Sequence, residues 1–321
     1  MQEKAEGSDT AAMTPGLEPV AAEKEAVRVG SLKGPTSMGL LFLMEKAGNE
    51  EGENAYTFQM AAAADELLPL MVRGELDIAL VPANVAAVLY QQTEGGISVI
   101  DINTLGVLYM VSGDASVENI SDLKGRRIYL TGKGTTPDYA LQFLLNENGM
   151  TVQDCELEYR SEAAEVAALL QENPDDIGLL PQPFATAACE QNPALKVVLD
   201  LNREWDKVQG ENGSSLVTGV TIVRDEFLDE HEDAVAAFLK EHEESASSIN
   251  QDIEKGAVLA VEQGIVANEN IAEKAIPRCN ITYMDGLEMK QALSGYLEVL
   301  FSQSPESVGG ELPDDDFYYV R

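Results

Sequence analysis

The sequence predicts an α/β protein built as two lobes, and three observations carry that prediction. Strand–turn–helix units repeat from Val27 to Gln92, and a second series repeats from Arg127 to Leu201. The strand-like run Leu216–Val223 follows the second series, and after it the pattern is almost wholly helical. Alternating strands and helices imply a parallel sheet with helices on both faces. A chain of 321 residues is too long for one ordinary core and fits two.

Residues 1–26 (MQEKAEGSDTAAMTPGLEPVAAEKEA) are polar, acidic and rich in Ala, Pro and Gly, and read as a disordered tether. They lack a basic start followed by an apolar core, so no signal peptide is visible. That leaves a cytosolic protein or a chain that begins after a cleavage site.

Val27–Leu32 alternates apolar and polar residues as a strand does. Lys33-Gly34-Pro35-Thr36 is turn chemistry, and Ser37 caps a predicted helix from Met38 to Ala47. A strand at Tyr56–Ala61, a helix near Asp65–Arg73, a buried strand at Asp77–Val81 and a helix from Pro82 to about Gln92 follow. Gly106–Ser112 reads as the last strand of the first series.

The second series comprises strands at Arg127–Thr131, Glu156–Tyr159, Ile177–Leu180 and Leu195–Leu201, with helices at Tyr139–Asn148, Ala163–Gln171 and Phe184–Glu190. Late helices are expected at Ala234–Ile249, Ile253–Gln263, Asn270–Ala275 and Leu287–Gln303, packing on the first lobe and bracing the hinge. Lobe one is thus expected to be residues 27–112 plus 219–321, and lobe two residues 113–218, with two crossings between them.

Acidic residues number 56 and basic residues 21, for a formal charge of −35. Such a field repels phosphate backbones and argues against nucleic acid as a partner. Cys155, Cys189 and Cys279 are scattered, and His231 and His242 lie in an acidic helical region where they read as solvated. No spacing suits a metal site or a disulfide framework, and none suits a nucleophile–base pair or a nucleophile elbow. No metal, cofactor or catalytic residue is therefore expected, and no run is long and apolar enough to span a bilayer.

Five stretches in this order resemble the nitrate/sulfonate/taurine class of ABC-transporter binding proteins, a class that includes NMT1/THI5-like chains. They are Gly74–Pro82, Ser121–Ile128, Gly132–Thr136, Asp176–Pro183 and Gly309–Tyr319. The resemblance implies the type II periplasmic-binding-protein fold, with two α/β lobes joined by a two-crossing hinge. It implies a monomeric extracytoplasmic protein, lipid-anchored through its N-terminal tether, that hands a small-molecule ligand to ABC-transporter permease subunits without chemistry. Biosynthetic enzymes of the thiamin-pyrimidine and menaquinone pathways share the fold and form the alternative. Members of the class often carry Glu-Pro where this chain has Gln182-Pro183, a departure that argues against an amine-bearing ligand.

Ligands of open α/β sheets sit beyond the carboxyl ends of strands, where helix N-termini offer free N–H groups. Three loops qualify, each with a plainer reading as turn and cap: Lys33-Gly34-Pro35-Thr36-Ser37, Pro82-Ala83-Asn84 and Gly132-Lys133-Gly134-Thr135-Thr136. Lys33, Gly34, Thr36, Ser37, Asn84, Gly134, Thr135, Thr136 and Gln182 are the resulting ligand candidates. Trp205, in a polar run after a strand, is the most accessible aromatic and a candidate for stacking, ahead of Tyr139 and Phe184. The expected ligand is small and polar or anionic, sulfonate-like or heterocyclic.

Overall fold

A computed structural model describes residues 24–210 and 214–320. The expected tether at residues 1–26 therefore lies almost wholly outside the described residues. The first strand, β1 (Ala26–Leu32), buries Val27 and Val29. The helix predicted from Met38 instead starts at Pro35, whose fixed φ suits a first helical position, and breaks into α1 (Pro35–Met38) and α2 (Leu41–Gly48). The break lets Met38, Leu40, Leu41 and Leu43 all bury.

Next come β2 (Ala55–Ala61), α3 (Ala64–Val72), β3 (Ile78–Pro82), α4 (Ala83–Gln92) and β4 (Ile97–Leu105). β4 escapes a reading by alternation because it is buried on both faces and carries Ser98, Asp101, Asn103 and Thr104 inside.

The chain then enters β5 (Leu108–Ser112), β6 (Arg127–Thr131), α5 (Thr136–Glu147), β7 (Glu156–Arg160) and α6 (Ala163–Glu172). After these come β8 (Ile177–Pro181), α7 (Phe184–Gln191), β9 (Lys196–Asp200) and α8 (Leu201–Gln209). It returns through β10 (Val217–Arg224) and continues as α9 (Asp225–Glu230), α10 (Glu232–Gln251), α11 (Ile253–Glu262), α12 (Glu269–Ala275), β11 (Ile281–Met284) and α13 (Gly286–Gln303). The short β11, one residue out of positive φ at Asn280, has no counterpart in the sequence reading.

Two sheets result, with strand orders β11-β4-β10-β3-β1-β2 and β7-β6-β8-β5-β9. Neither is all parallel. β10 runs antiparallel between β3 and β4, and β5 runs antiparallel between β8 and β9. β5 therefore pairs in the second sheet, and the first crossing falls at Gly106–Val107, ahead of the expected boundary at Ser112. The Gly106 N–H donates to Asn202 Oδ1 in α8 at 3.2 Å, so the outgoing chain touches the element that leads back.

Apolar faces of α2, α10 and α11 cover one side of the six-stranded sheet, and α3, α4 and α13 cover the other. The second of these cores continues without interruption into β5, β6, α5 and α8 of the other lobe.

Candidate functional site

The carboxyl ends of β1, β3, β6 and β8 lead into the N-termini of α1, α4, α5 and α7. Two of these helix starts meet across the lobes. Thr136, first residue of α5, donates from Oγ1 to Asn84 Oδ1 in the first turn of α4 at 3.2 Å, and both side chains are buried. Asn84 and Thr136 are thus brought together at the seam.

The loop after β1 closes on itself. Thr36 Oγ1 and Ser37 Oγ donate to the Leu32 carbonyl at 2.8 and 2.6 Å, and Ser37 Oγ lies 2.6 Å from Ser31 Oγ. Gly34 is buried and Lys33 exposed. These hydroxyls shape the turn, and they are spent on it.

The loop after β6 is likewise occupied. The Gly134 N–H, read from sequence as free for an anion, donates to Asp138 Oδ2 at 2.7 Å. Asp138 is buried and also accepts from Gln142 Nε2 at 2.7 Å and the Tyr159 hydroxyl at 2.8 Å. A carboxylate in the first turn already meets the positive end of α5. Thr135 is exposed and donates to the Gly132 carbonyl at 2.6 Å, while the Lys133 ammonium sits 5.4 Å from the Tyr159 ring centroid.

Gln182 is the candidate with an unmet need. It is 1% exposed. Its N–H donates to the Val107 carbonyl at 3.1 Å and its Oε1 accepts from Thr186 Oγ1 at 2.8 Å. With the carbonyl end held, the amide nitrogen is left as a buried donor without a partner among the described residues. Buried polar groups are paired in the great majority of cases, and Gln182 sits where β8 meets the crossing strand at Val107. The peptide bond from Gln182 to Pro183 is cis.

Trp205 is inside, contrary to its reading as accessible. It is fully buried, 4.4 Å from the Phe143 ring and 5.7 Å from the Tyr296 ring, and its Nε1 donates to the Ser214 carbonyl at 2.8 Å. The polar run around it is one face of α8, whose other face is Leu201 and Trp205. Of the other aromatics, Tyr139 is half-buried and Phe184 is exposed at the start of α7.

His242 is also inside rather than solvated. It continues the stripe Val235, Phe238, Leu239, Ala246 and Ile249 along α10, a spacing that would have revealed it. Its Nδ1 lies 3.1 Å from Asp101 Oδ2. Asp101 Oδ1 accepts from Thr221 Oγ1 at 2.8 Å, and Thr221 Oγ1 accepts from Asn103 Nδ2 at 3.1 Å. Register shifts between β4 and β10 at this end allow these polar residues inside.

Gly219 marks the closest packing at the same place. A Cβ there would lie 2.5 Å from Asn103 Oδ1 and 2.8 Å from Thr36 Cγ2. The sequence reading also missed Tyr296, fully buried with its hydroxyl beside Thr136, and Thr218, whose buried hydroxyl has no partner among the described residues. Among the described residues no group of three or more His, Cys, Asp or Glu side chains is arranged to hold a metal ion. None of their helices is long and apolar enough to cross a membrane.

Residues 95–252, just under half of the chain, match the family model described as NMT1/THI5 like. This stretch is similar to that family. It contains the β4–β5 crossing, the whole second lobe, β10, α9 and all of α10.

Among solved structures, an ABC transporter protein from Parabacteroides distasonis superposes with a TM-score of 0.76 at 24% identity, over 92% of this chain and 98% of that one. The periplasmic aliphatic sulphonate binding protein SsuA from Escherichia coli superposes with a TM-score of 0.72 at 15% identity, over 92% of each chain. The ligand-binding component of an ABC-type import system from Staphylococcus aureus, solved with zinc bound, gives 0.68 at 15% identity, over 92% of this chain and 97% of that one. No curated protein sequence matches the chain. The fold is the periplasmic-binding-protein fold, with two α/β lobes.

Proposed function

We propose that this NMT1/THI5-like chain is the extracytoplasmic solute-binding protein of an ABC importer, and that it binds a small, oxygen-rich, polar or anionic solute between its lobes without turnover. The fold relationship to binding proteins of ABC importers supports the class. The observation that carries the ligand chemistry is Gln182. Its carbonyl is pinned by Thr186 and its amide N–H groups are buried without a partner among the described residues, so the partner they call for is an acceptor. A sulfonate or a ring carbonyl supplies one; an ammonium group does not.

On this reading the partners are permease subunits. The protein acts as a monomer on the outer face of a membrane, attached by a lipid at the N-terminal tether. The lobes close as hinged halves around the solute, with Asn84 and Thr136 at the meeting point.

Thermal unfolding with MOPS, alkanesulfonates, nitrate and pyrimidines tests the proposal. A ligand at 100 times its Kd adds about 2.7 kcal/mol of stability. Stabilisation by one of these acceptor-rich compounds is expected, with the compound recovered unchanged. Stabilisation by cationic amines alone would overturn the ligand class, and recovery of a converted pyrimidine would favour the biosynthetic-enzyme alternative.

A further inference from the structure

The chain from α12 to the start of β11 is anchored in the first lobe and tied outward at three places. Ala272, Ile276 and Cys279 hold it, buried in the core shared with α2, α10 and α11. From that footing Lys274 in α12 pairs with Glu190 near the end of α7, and α12 packs on α7. The Arg278 carbonyl accepts from the Tyr109 hydroxyl of β5 at 2.7 Å. Asn280, at positive φ, donates from Nδ2 to the Gly106 carbonyl at the outgoing crossing, and its own carbonyl accepts from the Leu105 N–H at 3.1 Å.

Tyr109 is divided between the lobes. Its ring packs in the second-lobe core with Val111, Leu180, Ala185 and Leu195, yet its hydroxyl leaves that core for a first-lobe carbonyl. A phenylalanine would serve the packing equally well, so what the hydroxyl adds is the tie between lobes. At the outer tie, the hydrogen bond from Lys274 holds the Glu190 carboxyl below its ordinary range.

A rotation of one lobe on the other about Gly106–Val107 displaces each point in proportion to its distance from that axis. The Asn280–Gly106 bond sits at the axis and survives. The Tyr109–Arg278 bond and the Lys274–Glu190 pair join the two moving bodies and break as the lobes part. Neither is strong, since a hydrogen bond is exchanged for one with water and an exposed ion pair is screened. Ties of this size bias an equilibrium between two arrangements without locking either.

We propose that residues 274–280 are a closure latch: the Tyr109–Arg278 bond and the Lys274–Glu190 pair form when the lobes close, together with the Asn84–Thr136 contact, and set how much of the ligand-free protein is already closed. This rests on the hinged reading proposed above and is independent of the chemistry of the solute. Each tie lost lowers the closed fraction, and affinity for the solute falls by the same factor.

The test compares the ligand-free wild type with Tyr109→Phe, Lys274→Gln and the double variant by small-angle X-ray scattering, with circular dichroism to show that each is folded. The expected result is a radius of gyration that rises in each single variant and further in the double, at unchanged helix content. Loss of the Tyr109 hydrogen bond should move the closed-to-open ratio about five-fold. An unchanged radius of gyration in folded variants would overturn the latch and make the segment a fixed brace. Should Tyr109→Phe fail to fold, Lys274→Gln at its exposed position decides alone, a rise supporting the latch and no change overturning it. Added MOPS separates the latch from the solute class. Contraction of the double variant to the wild-type radius supports both, whereas a double variant that is open and stays open with MOPS leaves the latch standing and removes the sulfonate.

Discussion

An amide side chain has two ends, and at Gln182 the protein satisfies one of them. Thr186 fixes which end that is, since a hydroxyl proton on Oε1 leaves the nitrogen facing outward as a donor. Gln182→Glu keeps the shape and replaces the donor with an acceptor and a negative charge. The expected effect on MOPS binding is a loss of about 1–3 kcal/mol, the cost of an unmet buried polar group. Equal affinity by calorimetry would take Gln182 out of the site.

The same logic separates the other candidates. Thr36, Ser37, Thr135 and Gly134 are all paired within their own turns, so they shape the loops, while Asn84 and Thr136 pair across the lobes. Side-chain type and loop position were readable for all of them. The partner of each was not, because Asp138 reaches back to Gly134 only once α5 has formed.

Among the elements, the six-stranded sheet is tied at its far end by a clasp around Asp77. Arg28 in β1 donates from its backbone N–H and its Nε to Asp77 Oδ2 at 2.9 and 2.8 Å, and Arg224 at the end of β10 donates to Oδ1 at 3.2 Å. Burial pushes the Asp77 carboxyl up, but the hydrogen bonds from Arg28 and Arg224 outweigh it and hold the group below the ordinary carboxylate range. A carboxyl depressed in the folded state stabilises the fold fully above its unfolded pKa of about 3.9, and that contribution is lost as pH falls through the lower folded value. Asp77→Asn is therefore expected to lower stability at pH 7 and to flatten the acid limb below about pH 4. Urea unfolding at a series of pH values checks this, and an acid limb as steep as the wild type's would exclude the clasp as its cause.

At the scale of the whole molecule, the formal charge of −35 faces any anionic solute. The field acts over the Debye length, about 30 Å at 0.01 M salt and 8 Å at 0.15 M, whereas the seam's hydrogen-bond donors act at contact. Association of MOPS measured by stopped flow should therefore speed up as salt rises from 0.01 to 0.15 M, with a smaller change in dissociation. Association that slows with salt would mean a local positive field that governs capture, and would contradict the role assigned to neutral donors.

The sequence by itself determined the two β/α series, the return of Leu216–Val223 to the first sheet, most helices to within a few residues and the strand-end loops that hold candidate ligand groups. These follow from local period and turn chemistry, which act over a few residues. Only the tertiary structure decided that β4 is a strand, that β5 belongs to the second sheet, that Trp205 and His242 are interior, and that α13 carries Tyr296 to the seam. Each depends on a contact between residues distant in the chain, such as Trp205 with Tyr296 or Asp101 with His242. A polar residue looks the same in sequence whether water or a buried partner satisfies it, and packing alone separates the two.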